Sequence, residues 1–264
     1  TAVITVVYQS EETGLLSEVE YQVHFDPGNS SLERMLSSLV TIPSMTAEHP
    51  VIRPGGRLLY AYSGYGGIFQ NYSNGTGVLT LGPGNAQTTY QTGFAGNTTQ
   101  ILDIDISGLN PVSFSGAAGI DWLLKPNQSK SSIIFEVWAH KDVSVLTEEY
   151  YRNPEHIDPE IDNNGSADWT ASGWVKLAAS PLITGNAADP KYIFTELPMT
   201  YAQGETTKAY EAIRLVMNAN GDKGHDQGVW GNPRIMTIAD EWPGSGFEEP
   251  KEDRHSKGRP TKST

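Results

Sequence analysis

Short apolar runs cut apart by turn residues dominate this chain, and they limit what it can fold into. From about Leu58 onward, GVLTLG, QILDIDISG, VSFSGAAGI, SIIFEVWAH, GWVKLAAS, KYIFTELP, AYEAIRLVM and PRIMTIAD follow one another. PGN, SGLNP, KPNQSKS and NNGSAD stand in the connections between them. Runs of roughly four to eight residues, rich in β-branched and aromatic side chains and bounded by Gly, Pro, Asn or Asp, read as strands. No run alternates with a long amphipathic helix, which disfavours parallel α/β architectures. The pattern predicts an all-β fold, an antiparallel β-sandwich.

The first part of the chain reads differently. TAVITVVY and SEVEYQVHF alternate apolar and polar residues, as half-buried strands do. NSSLERMLSSLV (Asn29 to Val40) places Leu32, Met35, Leu36, Leu39 and Val40 at helical spacing. These segments predict a small mixed α/β module over residues 1–57, ahead of a sandwich over 58–247. The charged end, residues 248–264, holds too little apolar surface to order itself and reads as a tail or linker. Thr147 to Gly165, acidic and broken by proline, is expected to leave the sandwich as an excursion with one helical turn.

Composition removes some functions. Lys and Arg number 18 against 31 Asp and Glu, a formal charge of −13. Phosphate backbones are bound through basic residues that release counterions, so nucleic acid is a poor partner for this surface. Cysteine is absent, and with it thiolate metal sites and disulfides. No apolar run nears the ~20 residues needed to cross a bilayer, so membrane insertion is not expected. The chain opens at Thr1 without a basic and apolar leader, and reads as a segment excised from a longer protein.

One loop gathers chemistry. In NANGDKGHDQGVWGNP, His225, Asp226 and Asn232 supply donors and acceptors, and Trp230 supplies a flat apolar face. A sugar ring has a face of C–H groups and a rim of hydroxyls, which an indole and short polar side chains would match. An aromatic floor with a few placed polar groups is also the general pattern of small-ligand sites. A tryptophan just ahead of a strand can equally lid the core. The reading adopted is the platform. Tyr65, within the Gly-rich YAYSGYGGIFQNYSNG, offers a second rigid aromatic contact. Trp122 and Trp169 also stand near expected strand ends, where they could converge with Trp230. Asn220, Asp222 and Asp226 are candidate oxygen ligands for a structural Ca²⁺, although the spacing is not that of an EF-hand. Catalytic signatures are missing: there is no Gly-x-Ser-x-Gly elbow, no His-Glu-x-x-His and no phosphate-binding glycine loop. The acidic residues occur as sequence neighbours, which says nothing of the ~5–9 Å separation that glycoside hydrolysis needs.

Taken in order, three segments resemble a known family. They are GVLTLGPGNAQTTYQTGFAGNTTQILDIDISGLNPVSFSGAAGIDW, then SSIIFEVWAH, then EAIRLVMNANGDKGHDQGVWGNPRI. Over about residues 75–240 they are similar to the novel putative carbohydrate-binding module, a galactose-binding-like jelly roll attached to glycosidases and mucin-directed proteins. Asn232 stands where that pattern has a carboxylate, and GFAGN replaces its usual Gly-x-His turn. The resemblance implies a non-catalytic module that recognises a mucin-type glycan or polysaccharide. It also implies catalytic domains elsewhere on a secreted or cell-surface bacterial parent, and a Ca²⁺ common to this class of sandwich. A surface adhesin or protein-interaction module, and a glycoside hydrolase with an unfamiliar acidic site, are the alternative readings.

Overall fold

The computed structural model describes residues 2–9, 16–23, 31–73, 77–82, 87–122, 130–153, 156, 168–221 and 225–238. In chain order the strands begin with β1 (Ala2–Gln9), β2 (Leu16–Val23), β3 (Ser31–Met35), β4 (Val51–Gly55) and β5 (Leu58–Ser63). Next come β6 (Ile68–Gln70), β7 (Leu79–Leu81), β8 (Thr88–Tyr90), β9 (Gly93–Asn97) and β10 (Gln100–Asp105). β11 (Pro111–Ile120), β12 (Ser132–His140), β13 (Trp174–Ala179), β14 (Ile183–Thr184) and β15 (Lys191–Pro198) follow. The last are β16 (Thr200–Gln203), β17 (Thr206–Ala209), β18 (Ala212–Asn218) and β19 (Gln227–Ile238). Two short helices, α1 (Leu36–Leu39) and α2 (Glu148–Arg152), are all the α-helix among the described residues.

The chain divides into two compact units. In the first, β1 and β2 form an antiparallel hairpin running from Ala2 opposite Val23 to Gln9 opposite Leu16. The second, Asn29–Ile238, is the sandwich. Its larger sheet runs β13-β12-β18-β10-β5-β4, with β14 also on β12; the smaller runs β15-β11-β19-β9-β6, with β3 also on β19. Every pairing is antiparallel. Leu102, Ile104, Phe135, Val137, Ile213 and Leu215 from one sheet meet Phe94, Phe114, Phe194, Trp230 and Ile235 from the other in a shared core. The antiparallel sandwich expected from the sequence is present.

Two expectations about the first 57 residues need correcting. The helical spacing over 29–40 gives instead an extended β3, whose Leu32 pairs with Thr237 of β19, and a single helical turn after it. That turn has no side-chain cap, whereas β19 offers β3 a full ladder, and the ladder wins. The boundary at 57/58 also moves. Both β3 and β4 are strands of the sandwich sheets, so residues 31–57 belong to the larger unit. The expected tail, 248–264, lies outside the described residues.

Each sheet is covered on its outer face as well. On the larger sheet, Tyr60, Ile101, Trp138 and Val216 point away from the shared core and form a second cluster with Leu146, Tyr150, Tyr151, Trp169 and Trp174. Apart from Trp174, which begins β13, the covering residues come from the excursion after β12. Its helix α2 is capped by Thr147, whose hydroxyl accepts from the Tyr150 N–H. Beneath it lies an ion pair buried on both sides: Arg214 Nε and Nη2 each donate to the Asp103 carboxylate at 2.7 Å. The Tyr151 hydroxyl adds a third donor at 3.0 Å. The guanidinium carbon stands 4.5 Å from the Trp169 ring centre and 4.1 Å from that of Trp174. Burial alone would disfavour the Arg214 charge, but the Asp103 carboxylate outweighs it and raises its pKa. On the smaller sheet, the β7–β8 hairpin supplies Leu79, Leu81 and Tyr90, packed with Ala95, Ala117 and Val229.

Candidate functional site

One end of the sandwich collects most of the polar residues that the sequence singled out. There β9 ends at Asn97, β19 begins at Gln227 opposite it, and β11 ends at Ile120 opposite Gly228. In the facing sheet β10 begins at Gln100 between Ser63 of β5 and Met217 of β18, while Ile134 of β12 pairs with Asn218. The connections at this end therefore carry Tyr65, Asn97–Gln100, Asp121–Trp122, Ser131, Asn220 and His225–Asp226.

Hydrogen bonds tie these connections together. Asp226 is buried; its Oδ1 accepts from the Ser132 N–H at 2.6 Å, and its carbonyl accepts from the Thr98 N–H at 2.9 Å. The Ser131 hydroxyl donates to the His225 carbonyl at 2.6 Å. The Asn218 side chain accepts from the Asn220 N–H, holding Asn220 in a left-handed turn at φ 50°. On the neighbouring turn, the Tyr65 carbonyl accepts from both Asn97 Nδ2 and Ser63 Oγ at 3.1 Å. Gly66 at φ 74° makes that turn possible, and a Cβ there would lie 3.5 Å from the Asn97 amide. The Tyr65 backbone is thus fixed while its side chain is 70% exposed. His225, next to Asp226 in the chain, is exposed, and Trp122 is half-buried at the same end.

Other expected site residues lie elsewhere. Trp230 is fully buried, its ring 5.2 Å from Phe135, 5.3 Å from Phe194 and 6.3 Å from Phe114. It is a core residue and offers no platform. The stretch read as loop is in fact strand: β19 starts at Gln227, so Val229 and Trp230 alternate into the two clusters on opposite faces of their sheet. Trp169 is also buried, stacked above Arg214 on the outer face of the larger sheet, so it does not join the others. Asn232 sits past Trp230 on β19, lining a depression on the outer face of the smaller sheet. Asp222 lies outside the described residues.

The sequence reading passed over Asn97, Thr98, Thr99 and Gln100. All four are buried at this end. The hydroxyls of Thr98 and Thr99 and both polar atoms of the Gln100 amide have no hydrogen-bond partner among the described residues. Buried polar groups are normally satisfied by protein, water or an ion. A run of polar residues directly ahead of the apolar ILDIDI was the available signal.

No protein-family model matches the chain, and no curated protein matches it. Among solved structures it is similar to CBM51 from Clostridium perfringens GH95 in complex with methyl-galactose. That likeness has 19% identity and a TM-score of 0.47, covering 77% of this chain and 99% of that one. It is also similar to the M60 catalytic domain with the CBM51-1 and CBM51-2 domains of Clostridium perfringens ZmpB. Here identity is 14% and the TM-score 0.47, over 90% of this chain and 18% of that one. A third is the tandem CBM51 modules of Sp3GH98 from Streptococcus pneumoniae, at 11% identity and TM-score 0.47, over 80% and 49% of the two chains.

Proposed function

We propose that this chain is a non-catalytic glycan-recognition module whose binding site is the loop end carrying Tyr65, Asn97, Trp122 and His225. The observation that carries this reading is the Tyr65 turn: an aromatic ring left 70% exposed on a backbone held by two hydrogen bonds. A preorganised aromatic face loses little entropy when a ligand stacks on it. Polar groups at the same end would meet the hydroxyl rim. The three-segment resemblance supports saccharide recognition, and is in keeping with a module on a secreted or cell-surface bacterial protein that carries catalytic domains. Affinity for one sugar site is expected at roughly 10 µM to 1 mM, about 4–7 kcal/mol.

A glycan array of mucin-type and plant or bacterial polysaccharide probes tests the reading. Tyr65→Ala should abolish binding to the best probe without changing the unfolding temperature. Silence on the array, with capture of a protein ligand instead, would replace the glycan reading with an adhesin.

We further propose that a Ca²⁺ braces this end, with Asn220, Asp222 and Asp226 as oxygen donors. Carboxylate and amide oxygens suit a hard cation. Among the described residues no three His, Cys, Asp or Glu side chains stand together, so the shell would draw on amide and carbonyl oxygens as well. Added CaCl₂ should raise the unfolding temperature and EGTA should lower it; indifference to both refutes the ion.

A further inference from the structure

On the outer face of the smaller sheet, well along β19 from the loop end, two irregularities flank one strand at the same level. Between Ser115 opposite Arg234 and Ala117 opposite Gly231, β19 inserts Asn232 and Pro233 against the single Gly116. On the other side of β11, Phe114 pairs with Leu197 and Gly116 with Phe194, so Thr195 and Glu196 oppose Ser115 alone. Each bulge carries a non-glycine residue in the left-handed region, Asn232 at φ 45° and Glu196 at φ 48°. Such conformations cost free energy and cluster where a side chain must be re-aimed.

The two bulges open a cavity of about 220 Å³. Its floor is backbone, Gly116 and Gly231, and a Cβ on Gly231 would lie 2.6 Å from the Tyr90 ring. Tyr90 and Ile193, the latter 53% exposed, give it apolar walls. Asn232 gives it a directed donor: its Oδ1 accepts from Thr92 Oγ1 at 2.9 Å and its N–H is held by the Thr92 carbonyl. No hydrogen bond from its amide NH₂ is made among the described residues, so that donor is available to a ligand. Ser115, Thr195 and Arg234 complete the polar side. Arg234 already pairs with Glu33 at 3.1 Å, so the cavity lacks an unpaired cation.

We propose that this cavity is a second saccharide site, separate from the Tyr65 end, which takes one neutral sugar ring. The choice of a saccharide rests on the glycan-binding reading above; the existence of a site rests on the paired bulges. A volume below the ~300–1,000 Å³ typical of drug-sized ligands suits a single ring. An aromatic wall facing an oriented amide suits a ring with one apolar face. The chain's net charge of −13 and the neutralised Arg234 disfavour an acidic sugar.

The test is an amide ¹H–¹⁵N titration of the whole chain with methyl glycosides of neutral hexoses and N-acetylhexosamines. Saturable shifts are expected at Gly116, Thr195, Gly231 and Asn232 with at least one glycoside. Tyr90→Ala, and separately Thr195→Trp on the exposed edge strand, should weaken that response at least ~tenfold, while Tyr65→Ala leaves it unchanged. Shifts confined to the Tyr65 end would overturn the second site and leave the first intact. Shifts at the cavity alone would sustain this site and remove the Tyr65 reading. No saturable shift at either place would sink both.

Discussion

Replacing Trp230 separates a core residue from a binding platform more sharply than any other change. The indole is enclosed by Phe114, Phe135 and Phe194, with ring centres 5.2–6.3 Å away, and its neighbours are strands of both sheets. Trp230→Ala removes a whole aromatic side chain from a close-packed interior, a change that costs about 3–5 kcal/mol through lost burial and the cavity left behind. For a unit of this size, each kcal/mol moves the unfolding midpoint by roughly 2–4 °C, so a drop of about 6–20 °C is expected. Trp230→Phe makes a finer test. It keeps an aromatic ring among aromatic neighbours, and it removes an indole N–H that has no partner among the described residues. An unsatisfied buried donor costs about 1–3 kcal/mol, which offsets much of the lost volume, so Phe should lose less than half of what Ala loses. Chemical denaturation followed by near-UV circular dichroism reads both. If Trp230→Ala loses less than about 1 kcal/mol while glycan binding disappears, the indole is a surface platform and the packing described above is wrong.

Three further tests probe the outer faces of the two sheets, the first two on the larger and the third on the smaller. Arg214→Met leaves the Asp103 carboxylate buried without its cation and should cost about 3–5 kcal/mol, whereas Asp103→Leu combined with Arg214→Met should recover most of that loss. A double variant no more stable than the single one would show that the pair is not the source of the cost. His140 is held below the usual histidine range by burial, so the unfolded chain takes up a proton first as pH falls. Its contribution is therefore complete above about pH 6.5 and is lost as pH drops from there toward the lowered folded-state value. His140→Gln should flatten the stability profile between about pH 7 and 5, and an unchanged slope would assign the acid sensitivity to another group. Gly231→Val should displace Tyr90, given the 2.6 Å approach of even a single Cβ, and should expose a tyrosine to solvent by fluorescence quenching; a variant with native quenching would mean that the hairpin yields without cost.

What the sequence could say depended on whether polar residues marked one face of a strand. QILDIDI and SIIFEVW alternate cleanly, because their outward side chains form a distinct set that includes Asp103 and Glu136. Their strands were legible to within a residue or two. VWGN was not, because β19 is buried on both faces: Val229 feeds one cluster and Trp230 another, so no polar residue marks the alternation, and the glycines around them imitate a loop. The same double burial misplaced Trp169, which follows a turn in sequence yet closes over an ion pair made by strands distant in the chain. β3 was lost for another reason. Its partner lies about two hundred residues away, and a helical spacing of apolar residues is a local property that cannot register a strand pairing at that distance. Tyr65 was recoverable because local chemistry suffices there: glycines on both sides produce the turn, and only the hydrogen bonds from Asn97 and Ser63 that stiffen it needed the fold. An exposed aromatic on a Gly-rich connection is therefore readable from sequence in a way that a buried aromatic between two covered sheets is not. For that reason the search for ligand contacts in this chain belongs with Tyr65 and Asn232, not with its tryptophans of the core.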